Sequence, residues 1–236
     1  MRITQLYYMF GGRKDSFFYR KWQTYKMNRS IKSKRKLLQC LGNEALNAMS
    51  AACKEADVFY WLEFGTLLGA YREHGFITHD DDMDISMWAE DCTRDFENVL
   101  LKYGFQKKRA FYLYNEDTKT QLLTEIALSY KGLQLDIFFN FRKNDSKRVC
   151  YVYCEPENGE KLIVKEFVLP SFEETEMLEI NQNFYMAPAC PSNILKILYG
   201  EDYMTPKRNA NATKSINSHI NIFDINKLYG IRYMIG

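Results

Sequence analysis

Four aspartates in five positions, Asp80, Asp81, Asp82 and Asp84, run directly into the apolar stretch Ile85-Ser86-Met87. Carboxylates this close repel one another, and carrying them into a buried strand adds a desolvation cost unless cations offset the charge. The chain must therefore fold so that this stretch enters a core while its acids face a cleft that admits something positive. In a strand alternate side chains share a face, so Asp82 and Asp84 point one way, about 7 Å apart, while Met83 and Ile85 point into the core. Two carboxylates so placed can hold one or two Mg²⁺ ions, which prefer oxygen ligands, retain several waters and are completed by substrate phosphates.

Such a platform normally needs a third acid, and "LQLDIFF" supplies one. Asp136 is the single charge among Leu133, Leu135, Ile137, Phe138 and Phe139, a costly placement without a cation or strong donors. A structural reading, in which Asp136 is paired with a buried arginine or caps a loop, stands beside the metal reading. A calcium loop fits poorly: Asp80, Asp82 and Asp84 take its first, third and fifth positions, but Ile85 replaces the glycine of the turn and Asp91 the bidentate glutamate. His74 and His79 flank the cluster as loop residues that could contact substrate, since zinc favours closer Cys/His sets.

At 236 residues the chain suffices for one substantial domain. Its net charge of +2 hides an asymmetry. Residues 1–36 hold eleven Lys or Arg and one acid, about +10, which leaves about −8 for the other 200 residues. Phe18, Trp22 and Tyr25 fall at helical spacing within this basic segment. That pattern suits either a helix on an anionic membrane surface or one packing its aromatics on the domain. Two parts follow: a basic aromatic segment, 1–36, and a catalytic domain, 37–236. The six cysteines form no CxxC pair and read as reduced thiols. With no secretory h-region and no apolar run of about 18 residues, the expected location is cytoplasmic, peripheral at the inner face of a membrane.

Apolar periodicity predicts a helix over 37–56, then a strand at "DVFYWL" and a short helix after the Gly65-Thr66 turn. "MDISMW" reads as a strand, and "DCTRDFENVLLKYG" as a helix capped by Asp91 or Thr93 and stopped at Gly104. "FQKKRAFYLY" reads as another strand. The segments around Lys131-Gly132 and "EPENGE" predict two hairpins. After a helix at "ILKILYG" a loop-rich tail is expected.

A Gly-Thr turn after a strand, an Asp-x-Asp on a second strand and a lone Asp on a later one resemble the DNA polymerase beta-like nucleotidyltransferase superfamily. More narrowly, "WLEFGTLLGAYREHGFITHDDDMDI" is similar to the signature of the LicD family, which includes the fukutin-related glycan-modifying enzymes. The likeness extends to "LDIFF" and "LYGEDYMTP", covering roughly residues 58–206. It implies an α+β nucleotidyltransferase-type fold, a mixed sheet flanked by helices. The implied reaction moves a phospho-substituent, such as phosphocholine or a polyol phosphate, from a CDP-linked donor to a glycan or lipid-linked saccharide hydroxyl. By the same resemblance Asp82, Asp84 and Asp136 are the metal-binding and catalytic acids for Mg²⁺ or Mn²⁺. Gly65, Thr66 and Arg72 then face the donor. Two positions depart from the family pattern: Thr78-His79 stands where Pro-Trp is usual, and Phe64 precedes the Gly-Thr turn. The competing readings are transfer of a nucleoside monophosphate from a triphosphate, a non-catalytic glycan- or membrane-binding protein, and non-specific nucleic-acid contact through the basic segment.

Overall fold

Leu38, Ala45, Leu46, Met49, Ala52 and Cys53 recur at helical spacing and are all buried. No proline interrupts residues 17–56, and the helix they form, α1 (Phe17–Ala56), runs unbroken for 40 residues. The helix expected over 37–56 is the second half of this longer one, because the Lys, Arg, Gln and Met between Arg20 and Lys36 also favour a helix. Residues 23–30 of α1 are exposed, and Lys26 lies 3.8 Å over the Trp22 ring. These features come from a computed structural model that describes residues 17–156, 161–206 and 218–235. The first sixteen residues of the basic segment lie outside that set.

The elements that follow are β1 (Tyr60–Leu62), α2 (Phe64–Glu73), β2 (Met83–Trp88) and α3 (Arg94–Lys102). Thr93 caps α3, its hydroxyl accepting from the Phe96 N–H at 3.2 Å. Next come β3 (Phe105–Asn115), β4 (Thr120–Tyr130), β5 (Leu133–Asn144), β6 (Lys147–Cys154) and β7 (Ile163–Pro170). They are followed by β8 (Thr175–Ile180), β9 (Asn183–Pro188), α4 (Pro191–Tyr199), β10 (Ile220–Ile222) and β11 (Leu228–Met234). The architecture is α+β.

The two expected hairpins form, but they join one nine-stranded sheet whose main path is β10-β7-β6-β5-β4-β3-β11. Strand β5 divides the sheet: its first half lies between β4 and β2, and beyond Asn140 it pairs with β6. All pairings are antiparallel except β2 with β5. The sheet curls until β11 meets the start of β7, where Leu162 and Gly230 exchange hydrogen bonds of 2.9 Å. A Cβ at Gly230 would lie 2.2 Å from the Tyr153 ring, so closure at this point requires a glycine.

The loop-rich tail is a correction, since β10 and β11 are strands. Their short, glycine-interrupted pattern is weak locally, and pairing with β7 and β3 supplies what local preference lacks. A separate hairpin, β8-β9, also forms. The main core lies between the sheet and the inner faces of α1, α2, α3 and α4.

Candidate active site

The site begins at a turn that the backbone must strain to make. Phe64, the first residue of α2, has φ +42°, an unfavourable value for a bulky side chain. Its ring is anchored against Phe138 and Phe167 at centroid distances of 4.7 and 5.9 Å. The turn brings the next two residues onto Asp84: the Gly65 N–H donates to Asp84 Oδ2 at 3.1 Å, and Thr66 Oγ1 accepts from the Asp84 N–H at 2.8 Å. A Cβ at position 65 would stand 2.4 Å from Asp80 Oδ2 and 3.3 Å from Asp84 Oδ2. Only glycine lets helix α2 abut the acids this closely.

Strand register completes the group. Asp84 pairs directly with Asp136 across the parallel β2-β5 ladder, so both carboxylates stand on one face of adjacent strands. Asp82 lies two residues before Asp84, ahead of the first paired residue. Single carboxylate oxygens of Asp80, Asp81 and Asp82 come within 4.8 Å of one another. The structure thus gathers Asp82, Asp84 and Asp136 and adds Asp80, which the Gly65 turn touches.

Glu125 is a further acid that sequence reading missed. It lies on β4 opposite Phe138, two residues from the Ala127 that faces Asp136, and is buried. The available signal was the one used for Asp136, a lone charge in an apolar strand, "LLTEIALSY". What places it beside Asp136 is strand pairing.

Burial is the first cause that raises every one of these carboxyls, and neighbouring carboxylates add to it. Asp80 and Asp136 are pushed up to about 7, Asp80 also by Asp82, and Asp136 likewise by Asp82. Asp82 is raised, and Asp84 and Glu125 are raised well above the carboxylate range. Asp136 Oδ2 accepts from Gln134 Nε2 at 2.7 Å, while its buried Oδ1 has no partner among the described residues. A buried acceptor without a donor, within a set of hard oxygen ligands, fits a Mg²⁺-type cation.

The remaining sequence candidates sit at the margin. The Arg72 guanidinium donates to the Tyr203 carbonyl at 3.0 Å and meets Glu73 at 2.6 Å. It thereby fastens the "LYGEDYMTP" segment to α2. Within that segment Tyr199 is partly buried, desolvation raises its phenol, and Asp84 and Asp80 raise it further. His74 takes a left-handed conformation at the end of α2, and both His74 and His79 are exposed.

Residues 57–188 match the family described as LicD/FKTN/FKRP, nucleotidyltransferase domain. The chain belongs to the LicD family. Among LicD-like relatives, an uncharacterised Caenorhabditis elegans protein is 25% identical over 189 residues, 73% of this chain and 48% of that protein. The Haemophilus influenzae lipopolysaccharide cholinephosphotransferase LicD is 33% identical over 101 residues, 43% of this chain and 33% of that enzyme. Mouse ribitol-5-phosphate transferase FKTN is 29% identical over 105 residues, 43% of this chain and 21% of that enzyme. The chain spans about half the length of these curated relatives or less. The LicD match contains the Gly65-Thr66 turn, all the acids named above and β2 to β9, and it excludes α1 and α4.

Behind the turn lies a second set of buried charges. Glu63 Oε2 meets Arg148 Nη1 at 2.7 Å with both side chains fully buried. It also accepts from Trp61 Nε1 at 2.9 Å, and Arg148 donates to Asn140 Oδ1. The Glu63 carbonyl accepts the Leu67 N–H at 3.0 Å, so this pair anchors the start of α2. Among the described residues no helix is long and apolar enough to cross a membrane.

Proposed function

We propose that this protein is a metal-dependent phosphotransferase that moves a phospho-substituent from a CDP-linked donor to a hydroxyl of a glycan or lipid-linked saccharide. The observation that carries this reading is the Asp84-Asp136 register, clamped by Gly65 and Thr66, in a LicD-family chain. In this reading Asp82, Asp84 and Asp136 hold the cation, with Asp80 beside them. A bound Mg²⁺ supplies charge neutralisation at the donor diphosphate and lowers the cost of the departing nucleotide's charge.

The chain's own residues do the rest. The Gly65-Thr66 turn fixes the Asp84 carboxylate and forms the donor-facing wall, and Arg72 shapes that wall through its hold on Tyr203. Asp82 or Asp136 takes the acceptor hydroxyl proton. The acceptor oxygen forms a bond to the distal phosphorus as the bond from that phosphorus to cytidine monophosphate breaks. The exposed basic first half of α1 is the surface for a membrane or a lipid-linked acceptor.

The test is incubation with Mg²⁺ and a panel of CDP-linked donors, with detection of released cytidine monophosphate. Metal-dependent release supports the reading. Release of pyrophosphate from a nucleoside triphosphate would instead mark the chain as a nucleotidyltransferase.

A further inference from the structure

Five carboxylates gathered at one site pose a problem for any anionic donor: a diphosphate approaching Asp80, Asp82, Asp84, Glu125 and Asp136 meets repulsion that one divalent cation offsets only in part. Two protein cations reach this group. Arg109 lies on β3 in the same cross-strand row as the acids, since Arg109 pairs with Ala127, Ala127 with Asp136, and Asp136 with Asp84. Directly opposed residues in a sheet share a face, and the short Ala127 side chain leaves the long arginine free to lean toward Asp136. Lys34 reaches in from α1, its Nζ 3.6 Å from Asp81 Oδ2 and 3.5 Å from Gln134 Oε1. Gln134 in turn donates to Asp136.

Neither cation is used up by the protein. Among the described residues Arg109 has no carboxylate within 4.0 Å, although its charge is felt by Asp82, Glu125 and Asp136. Its side chain is partly exposed. The Lys34 side chain is 41% exposed, and among the described residues its one ion pair is with Asp81. An arginine with a purely structural role looks different in this same molecule: Arg148 is fully buried and seated on Glu63 at 2.7 Å.

Resting on the phosphotransferase reading above, we propose that Arg109 and Lys34 are donor-binding residues that clamp the diphosphate, Arg109 from the β3 side and Lys34 from α1. Arginine suits this role because its planar fork engages a phosphate through two parallel hydrogen bonds. Lys34 lies outside the stretch matched to the LicD family, so α1 becomes part of the active site.

The experiment measures binding of cytidine diphosphate in the presence of Mg²⁺, and of Mg²⁺ alone, by calorimetry on the full chain. Arg109→Gln should weaken cytidine diphosphate binding about 10- to 100-fold, the range for losing charge-assisted hydrogen bonds. Binding of Mg²⁺ alone should be unchanged or tighter, because a nearby positive charge is gone. Arg109→Lys should recover part of the loss, as a point charge without the fork. Lys34→Gln, at a partly exposed position, should weaken binding about threefold, in line with a solvent-screened contact. If both Gln variants bind cytidine diphosphate as wild type does, the clamp is refuted and the phosphotransferase reading stands. Parallel loss of Mg²⁺ and nucleotide binding in Arg109→Gln would make Arg109 structural and also refute the clamp. If wild type neither binds cytidine diphosphate nor releases monophosphate from CDP-linked donors, both readings fall.

Discussion

Two sets of buried charge lie on either side of the strained Phe64 turn, and they are built on opposite principles. Behind the turn, Glu63 and Arg148 neutralise each other, and Trp61 and Asn140 add hydrogen bonds. In front of it, Asp80, Asp82, Asp84, Glu125 and Asp136 are gathered, and among the described residues no cation is in contact beyond the rim pair of Lys34 and Asp81. A closed pair cancels its own charge and holds a structure. An open group of one sign raises its own proton affinities and stores repulsion that a ligand must relieve. The turn couples the two, for Glu63 anchors the start of the helix whose next residues, Gly65 and Thr66, grip Asp84.

The largest effect should come from the open group. Asp82→Asn or Asp84→Asn should abolish metal-dependent turnover while the melting temperature stays at or above that of wild type without metal, because each removes a ligand charge and preserves shape. Near-normal release of cytidine monophosphate by either variant would end the metal assignment. The closed pair should answer with stability instead. Arg148→Met leaves Glu63 buried and unpaired and should cost about 3–5 kcal/mol in denaturant unfolding, the usual penalty for breaking a buried ion pair from one side. A loss under about 1 kcal/mol would mean that the pair behaves like a surface contact and the contrast fails.

A third test turns on sign. Asp136→Asn removes one repelling charge, so at pH 8 the metal-free protein should melt higher, by roughly 2–4 °C per kcal/mol relieved. The Mg²⁺ increment should shrink and turnover should be lost. A variant that melts well below wild type yet responds fully to Mg²⁺ would make Asp136 a structural acid like Glu63.

A fourth test is the pH dependence of the metal-free protein. Asp80 and Asp136 sit at about 7 when folded, against about 3.9 in an unfolded chain. The folded state therefore holds protons more tightly. Its stability from this source is fully present below pH 4 and is lost as pH rises through 7. Melting temperature without metal should accordingly fall between pH 5 and pH 8. Saturating Mg²⁺, which binds the deprotonated carboxylates, should offset the fall. A metal-free melting temperature that rises over this range would show that the acids are not repelling one another.

What the sequence by itself determined is local or carried by a contiguous motif. The aspartates ahead of an apolar strand, the lone Asp136, the Thr93 cap, the Lys131-Gly132 hairpin and the LicD signature each lie within one short window, where periodicity and turn chemistry act. The tertiary structure alone decided the rest. Glu125 and Arg109 join the acids because β3, β4, β5 and β2 pair in one particular register, and a shift by one residue would turn them to the other face. Lys34 enters because α1 extends back before residue 37 as one unbroken helix. Strands β10 and β11 exist because the curled sheet offers them edges, and Arg148 finds Glu63 across 85 residues of chain. None of these pairings has a signal in its own neighbourhood, since strand register and buried ion pairs are set by the summed packing of distant segments.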